Sequence, residues 1–383
     1  LTNMIQTAPH CTAIWDIHPV AAMSPTVNED VLEPGTRNKA WVLVRRPEGV
    51  ISADCVRLEE RPVDTDLEKD ELLVRVEMLS VDAFIRTTLD QEGYHTGTPL
   101  NEVLPALGYG VVLKDGSGRR KPGTRVLGML RAQTLSRVKS SQVSRVMPFV
   151  SPKHSLGLLG LTTGLTAWMG IFAVARKPRR GEVVVVSAAA GAVGSVAAQL
   201  AKRTGAKVIG IAGGEKKCDF LLNQLKLDGA VDYKSTERTL GEQLDALAPD
   251  GVDFFYDNVG GATLDAVLLR LRPKARVVIC GAVSQYSGKL NRGEVDGPRE
   301  YLKLAERGAS MTGFNVMQHI HRAPLALIHI GFLMLTKRIS LFETIEIGIS
   351  RFGAALNAMF VGGHVGKLLV DVGGGAKGAA AAA

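Results

Sequence analysis

The apolar positions of this chain change rhythm twice. Over residues 1–36, Pro, Thr, Asn and Asp recur without a period, which predicts an extension rather than a packed element. From Ala40 onward, short apolar runs appear between turn residues. Trp41-Val42-Leu43-Val44 predicts a strand, and Glu71 to Glu77 alternates in part, as a half-buried strand does. Pro105, Gly108, Gly110 and Gly116-Ser117-Gly118 cut further short runs up to Val126-Leu127-Gly128, a pattern that predicts a partly open β-barrel or a sandwich.

Past about Gly160 the texture differs. Val183 to Val186 is a continuous β-branched run, as expected of a parallel strand buried on both faces. Gly194 to Lys202 reads as a helix, and Lys207 to Ile211 as the next strand. Asp253 to Tyr256 and Arg276 to Ile279 supply further strands, with helical stretches between. Such alternation predicts an α/β fold with a doubly wound parallel sheet. Leu325 to Leu335 comes nearest to a membrane span, but His329 interrupts it and the run falls short of about 18 apolar residues. It predicts a buried helix. Val365 to Val372 reads as a single strand that returns the chain to its first, β-rich part. The expected division is an extension (1–36), a substrate-binding part (37–160 and 338–372), a dinucleotide-binding part (161–337) and a low-complexity tail without function (373–383).

Composition narrows the function. In 383 residues, 46% hydrophobic and 22% charged residues describe an ordinary globular chain of two domains. The formal charge of +8 suits an anionic cofactor as well as a nucleic acid or an anionic membrane. No basic stretch is interleaved with aromatics, which total 5%, so neither nucleic acid nor membrane is expected as a partner. Cys11, Cys55, Cys218 and Cys280 are too scattered for a disulfide framework or a thiolate zinc site; they predict buried free thiols in a reducing compartment. The first residues lack the charged start and apolar core of a signal peptide.

The chemistry-bearing motif is Val183 to Gly194: a buried strand, the tight turn Ser187-Ala188-Ala189-Ala190, and the start of a helix. Pyrophosphate must approach backbone N–H groups at a helix N-terminus, so side chains at this turn must be small. Ala189 stands where G-x-G-x-x-G has its first glycine, and the strand before it is what supports a Rossmann reading. An NAD-preferring chain usually ends its second strand on an acidic residue that holds the ribose hydroxyls. Here Ile211-Ala212 runs into Gly213-Gly214-Glu215-Lys216-Lys217. The glycines leave room for a phosphate and the lysines neutralise it, which predicts NADPH, although Glu215 would repel the phosphate if it faced inward.

These residues resemble the medium-chain dehydrogenase/reductase superfamily. More narrowly, they resemble the branch of leukotriene B4 dehydrogenase/prostaglandin reductases, alkenal double-bond reductases and curcumin reductases. The resemblance runs from about Ala40 to Val372. It is carried by Leu79-Ser80-Val81-Asp82, Gly164-Leu165-Thr166-Ala167, Ala188 to Ser195, Asp257 to Gly261, Cys280 to Tyr286 and Gly366-Lys367. It implies a GroES-like catalytic barrel built from both chain ends around a central Rossmann domain, a homodimer and a cytoplasmic location. It places Gly191, Ala192, Val193 and Gly194 on the pyrophosphate, Lys217 on the 2′-phosphate, Tyr233 on the adenosine side and Asn258 near the ribose-pyrophosphate. Cys280, Gly281, Ala282, Val283, Ser284 and Tyr286 would line the nicotinamide half, and Phe314, Asn315, Val316 and His364 would also meet the cofactor.

Zinc-dependent relatives use an early cysteine and a Gly-His-Glu motif. Here the same regions read Ser80-Val81-Asp82-Ala83 and Gly108-Tyr109-Gly110, without thiolate or imidazole, so no metal is expected. The chain also departs from the family pattern near the substrate. Asp82-Ala83-Phe84 replaces Asp-Pro-Tyr, a tyrosine is missing near Gly313 to Met317, and the usual asparagine before Gly-Lys is His364, one residue further upstream.

The activity implied is NADPH-dependent reduction of the carbon–carbon double bond of an α,β-unsaturated aldehyde or ketone. Tyr286, Tyr109 and His319 are the candidate proton donors or carbonyl partners, and each could equally be a packed ring whose polar tip finds a partner. A quinone reductase, a carrier-linked enoyl reductase and a non-enzymatic nucleotide-binding adaptor remain as alternatives.

Overall fold

The structure, a computed structural model, describes residues 36–91, 95–287, 295 and 297–373. Apart from Thr36 and Gly373, the expected extension and tail lie outside the described residues, as does Cys11.

Six strands form a wholly parallel sheet in the order Gly229–Asp232, Lys207–Ala212, Val183–Val186, Val252–Asp257, Leu271–Ile279, Ser310–Gly313. Counted in chain order this is 3-2-1-4-5-6, so the order reverses between Val183–Val186 and Val252–Asp257, the place where such sheets bind ligands. The valine run is apolar throughout because both faces are covered. Val184 and Val186 pack into one core cluster with Phe254, Tyr256 and the helix residues Val196 and Leu200. Val185 packs into the opposite one with Ile209, Phe255 and Val277. Burying each valine fully contributes about 1.5–3 kcal/mol.

A second, largely antiparallel sheet follows the path Glu343–Ile347, Lys367–Asp371, Glu71–Ser80, Leu107–Asp115, Arg125–Met129, Val143–Arg145, with Leu135–Lys139 also paired to Glu71–Ser80. Arg37–Leu43 and Val56–Pro62 form a separate ribbon. The late strand Lys367–Asp371 lies antiparallel to Glu71–Ser80, Leu369 opposite Ser80, so the chain end does join the β-rich part.

Two expectations need correction. The helix Ala323–Leu335 is not buried all round. Ala326, Ile330 and Leu333 face the core, but Leu325, Ile328 (71% exposed), Phe332 and Leu335 (80%) form an outward stripe at helical spacing. Of the described cysteines, all free, only Cys55 is fully enclosed; Cys218 and Cys280 are partly so.

Candidate active site

Every sequence-predicted cofactor residue except His364 follows closely on a strand of the parallel sheet or opens the helix after it. Ser187 to Gly194 follow Val183–Val186, Gly213 to Lys217 follow Lys207–Ala212, and Tyr233 follows Gly229–Asp232. Asn258 follows Val252–Asp257, Cys280 to Tyr286 follow Leu271–Ile279, and Phe314 to Val316 follow Ser310–Gly313. The sheet topology alone therefore gathers them along one edge.

At the first of these turns Ala188 takes φ +47°, and the helix Ala192–Lys202 begins at Gly191 with no side-chain cap. Its first N–H groups are thus left for a ligand. A Cβ on Gly194 would stand 2.2 Å from the Ala188 carbonyl oxygen, so the turn and helix are packed as closely as glycine permits.

Beside the turn, Asp257 is fully buried. Its carboxylate accepts hydrogen bonds from Ser187 Oγ (2.7 Å), Val259 N (3.0 Å) and Gly260 N (3.0 Å), while Asn258 N donates to Ser187 Oγ (2.8 Å) and Asn258 Nδ2 to the Ser187 carbonyl (2.7 Å). Burial raises the Asp257 pKa above the usual carboxylate range, and these hydrogen bonds partly oppose it. The Asp257–Ser187 bond gives both residues a supporting role that the motifs containing them do not state, and a carboxylate ending an apolar strand is its signal in the sequence. They hold Asn258 in place.

On the adenosine side, the Tyr233 ring lies over Gly213; a Cβ there would meet the ring at 2.7 Å. Gly214 N donates to Asp232 Oδ1 (2.7 Å), closing the loop. Glu215 and Lys216 are exposed, whereas Lys217 is half-buried, its pKa lowered by burial and then by Lys234. Glu215 is thus solvent-exposed, where water screens its charge.

The segment before Lys367 closes over the same turn. Gly366 N donates to the Ala190 carbonyl (2.8 Å), and Gly366 bridges Gly191. Lys367, fully buried, donates to Asp82 Oδ1 at 2.5 Å, and the Ser80 hydroxyl bonds the other carboxylate oxygen. Asp82 and Lys367 are a second pair that no local pattern marked. Burial and the neighbouring Lys217 push the His364 pKa down to about 4, and its Nδ1 is buried without a hydrogen-bond partner.

The three candidate donors separate. Tyr286 turns back on its own loop: Ala282 N donates to its hydroxyl oxygen at 3.2 Å, above Gly281. Tyr109 is buried among Leu156 and Leu369 in the β-rich half, the packed-ring alternative, and burial raises its pKa. His319 packs edge-on to Phe314, with centroids 6.1 Å apart, in the turn Val316–Arg322 capped by Asn315. Burial pushes the Cys280 thiol up to about 12, so it is inert packing beside Tyr256. Gly164-Leu165-Thr166-Ala167 is structural too: the Thr166 carbonyl accepts from Tyr256 Oη at 3.1 Å. A surface cavity of about 450 Å³ lined by Asp64, Glu71, Arg131 and Arg137 contains none of these groups.

An uncapped helix N-terminus, a glycine that cannot bear a Cβ and a half-buried lysine fit the pyrophosphate and phosphate of a dinucleotide. Comparison with known proteins agrees. The family model described as zinc-binding dehydrogenase matches residues 192–329, and that described as N-terminal domain of oxidoreductase matches 39–146. The chain is 31% identical to the NADPH-dependent curcumin reductase of Escherichia coli (strain K12), over 88% of this chain and 98% of that one. It is 31% identical to the NADP(+)-dependent 2-alkenal reductase of Nicotiana tabacum, over 79% and 88%. Its fold matches CurA from Vibrio vulnificus in complex with NADPH, with a TM-score of 0.81 and 28% identity, over 87% and 99%.

Proposed function

The chain belongs to the NADP-dependent oxidoreductases of the medium-chain dehydrogenase/reductase superfamily, and from that premise we propose that it reduces the carbon–carbon double bond of α,β-unsaturated aldehydes or ketones. The observation that carries the reading is the cofactor edge itself: the uncapped turn at Gly191, half-buried Lys217 and Asn258 fixed by Asp257.

When bound, NADPH supplies hydride to the β-carbon. The chain's residues do the rest. Gly191 to Gly194 and Lys217 hold the phosphates, and Asn258 positions the ribose end. Cys280 to Tyr286 shape the nicotinamide side. Reduction at the β-carbon leaves charge on an enolate, which one or two hydrogen bonds support. We assign that support to Tyr286, whose hydroxyl oxygen is fixed by Ala282 N. His319, beside Phe314, is the second candidate for protonating the α-carbon.

The reaction proceeds without zinc in this reading. The positions of the zinc ligands in metal-dependent relatives hold Ser80 to Asp82 and Gly108 to Gly110, and the Asp82 carboxylate is committed to Lys367. Among the described residues no cluster of three His, Cys, Asp or Glu could hold a metal, and no helix is long and apolar enough to cross a membrane. The free thiols favour a cytoplasmic protein. The sheet-edge strand Ser310–Gly313 and the apolar stripe of Ala323–Leu335 favour a homodimer.

The test is NADPH oxidation followed by absorbance with an enone, a quinone, a carrier-linked enoyl chain and no acceptor. Turnover with the enone supports the reading; turnover with the quinone alone moves the protein to another branch.

A further inference from the structure

His364 departs from what a cofactor-contacting residue ordinarily offers. Its Nδ1 is buried and meets no donor, and the ring lies beside the Ala358 carbonyl, which favours a proton on the ring. The segment that carries it is tied down on both sides. Gly366 N donates to the Ala190 carbonyl, Gly362 N donates to the Ala358 carbonyl at 3.0 Å, and Lys217 Nζ lies near Gly362, 3.8 Å from where a Cβ would stand. His364 is therefore held between the pyrophosphate turn and the lysine that faces the 2′-phosphate.

The charges acting on the ring, among the described residues, are both positive. Lys217 acts from the helix Glu215–Asp219 and Lys367 from the strand that follows His364. Lys367 is answered by Asp82, whereas the charged group that acts on Lys217 among the described residues is Lys234. The helix Phe352–Val361 contributes the Ala358 carbonyl and no charge to the ring. A negative charge near the ring favours its protonated form, in which both ring nitrogens are donors.

We propose that His364 takes up a proton as the 2′-phosphate of NADP(H) binds, so that the chain recognises this cofactor with an imidazolium and Lys217 together. The inference rests on the NADP(H) reading above. Without cofactor the ring is neutral at pH 7, since its pKa is held at about 4. An opposite charge within about 4–6 Å raises a pKa by about 1–3, which brings His364 from about 4 to roughly 5–7 in the complex, and the near-double charge of a phosphate favours the upper end. Free phosphate, with a second ionisation near pH 6, can only release protons on entering a cationic site. Net uptake therefore reports on the protein.

The experiment is calorimetric titration of the full chain with NADP+ and with NAD+ at pH 7, in buffers of different ionisation enthalpy, for the wild type and His364→Asn. The wild type should take up a few tenths of a proton with NADP+ and almost none with NAD+, and His364→Asn should lose that uptake. NADP+ affinity of the wild type should rise about fivefold from pH 8 to pH 6, and that of the variant by less. Zero uptake by the wild type, or equal uptake by wild type and variant, overturns the proposal. Equal affinity of the wild type for NADP+ and NAD+ would instead remove the cofactor reading, and the proposal with it.

Discussion

Replacing Gly194 by alanine puts a methyl group where the backbone leaves none room. The Cβ would lie 2.2 Å from the Ala188 carbonyl oxygen and 2.8 Å from its carbon, and neither atom belongs to a side chain that can swing away. Ala188 already occupies the left-handed region, and its carbonyl accepts the Gly191 N–H at 2.9 Å. Relief must therefore come from shifting the turn that presents N–H groups to the pyrophosphate. In stability, overpacking of about 1–3 kcal/mol opposes the roughly 1 kcal/mol by which alanine is the better helix former, for a net loss of about 0–2 kcal/mol. Binding should suffer more clearly. Loss of even one charge-assisted bond, about 1.5–3 kcal/mol, weakens NADPH at least tenfold. The control is Gly331→Ala in the helix Ala323–Leu335, where a Cβ meets nothing within 4 Å. It should raise stability by up to about 1 kcal/mol and leave affinity alone. NADPH fluorescence titration and thermal melting of both variants give the answer. If Gly194→Ala binds NADPH like the wild type, the turn does not hold the pyrophosphate.

Lys217→Ala should weaken NADPH binding by about 1.5–3 kcal/mol and barely change NADH; equal losses for both would show that Lys217 does not read the 2′-phosphate. Lys367→Met leaves the Asp82 carboxylate buried beside Ser80 without its cation, and denaturant unfolding should register about 3–5 kcal/mol of destabilisation, with a loss under 1 kcal/mol contradicting the pair. The cofactor-free protein should also lose stability in acid. The folded-state pKa of His364 is about 4 and the unfolded value 6.5, so below pH 6.5 the unfolded chain takes up a proton that the folded chain refuses. That costs up to about 2 kcal/mol at pH 5, and melting curves of His364→Asn should be flatter over the same range.

What the sequence disclosed was local. A β-branched strand followed by small residues and a helix is written within 12 consecutive positions from Val183 to Gly194, and the structure keeps that order. The supports of the site were hidden because their partners are distant. Ser187 and Asp257 are separated by 70 positions, and Asp82 and Lys367 by 285. A linear pattern records a lone polar residue in each case, never the pair. The apolar run Leu325 to Leu335 misled for a related reason: counting apolar residues reports their number, not which face the fold covers. Tyr109 is likewise a plausible donor by residue type, yet the strand Leu107–Asp115 turns it into the packing around Leu156 and Leu369.

The central claim is that hydride reaches a carbon–carbon double bond and leaves the carbonyl intact. In the zinc-free reading proposed above, one or two hydrogen bonds such as that assigned to Tyr286 support the developing charge, and an enolate, which spreads that charge over carbon and oxygen, asks less of them than an alkoxide does. The decisive measurement is NMR analysis of the product formed from a 2-alkenal with NADPH deuterated at the transferring position. The account predicts the label on the β-carbon of a saturated aldehyde. Deuterium on the carbonyl carbon, in an allylic alcohol, would contradict it.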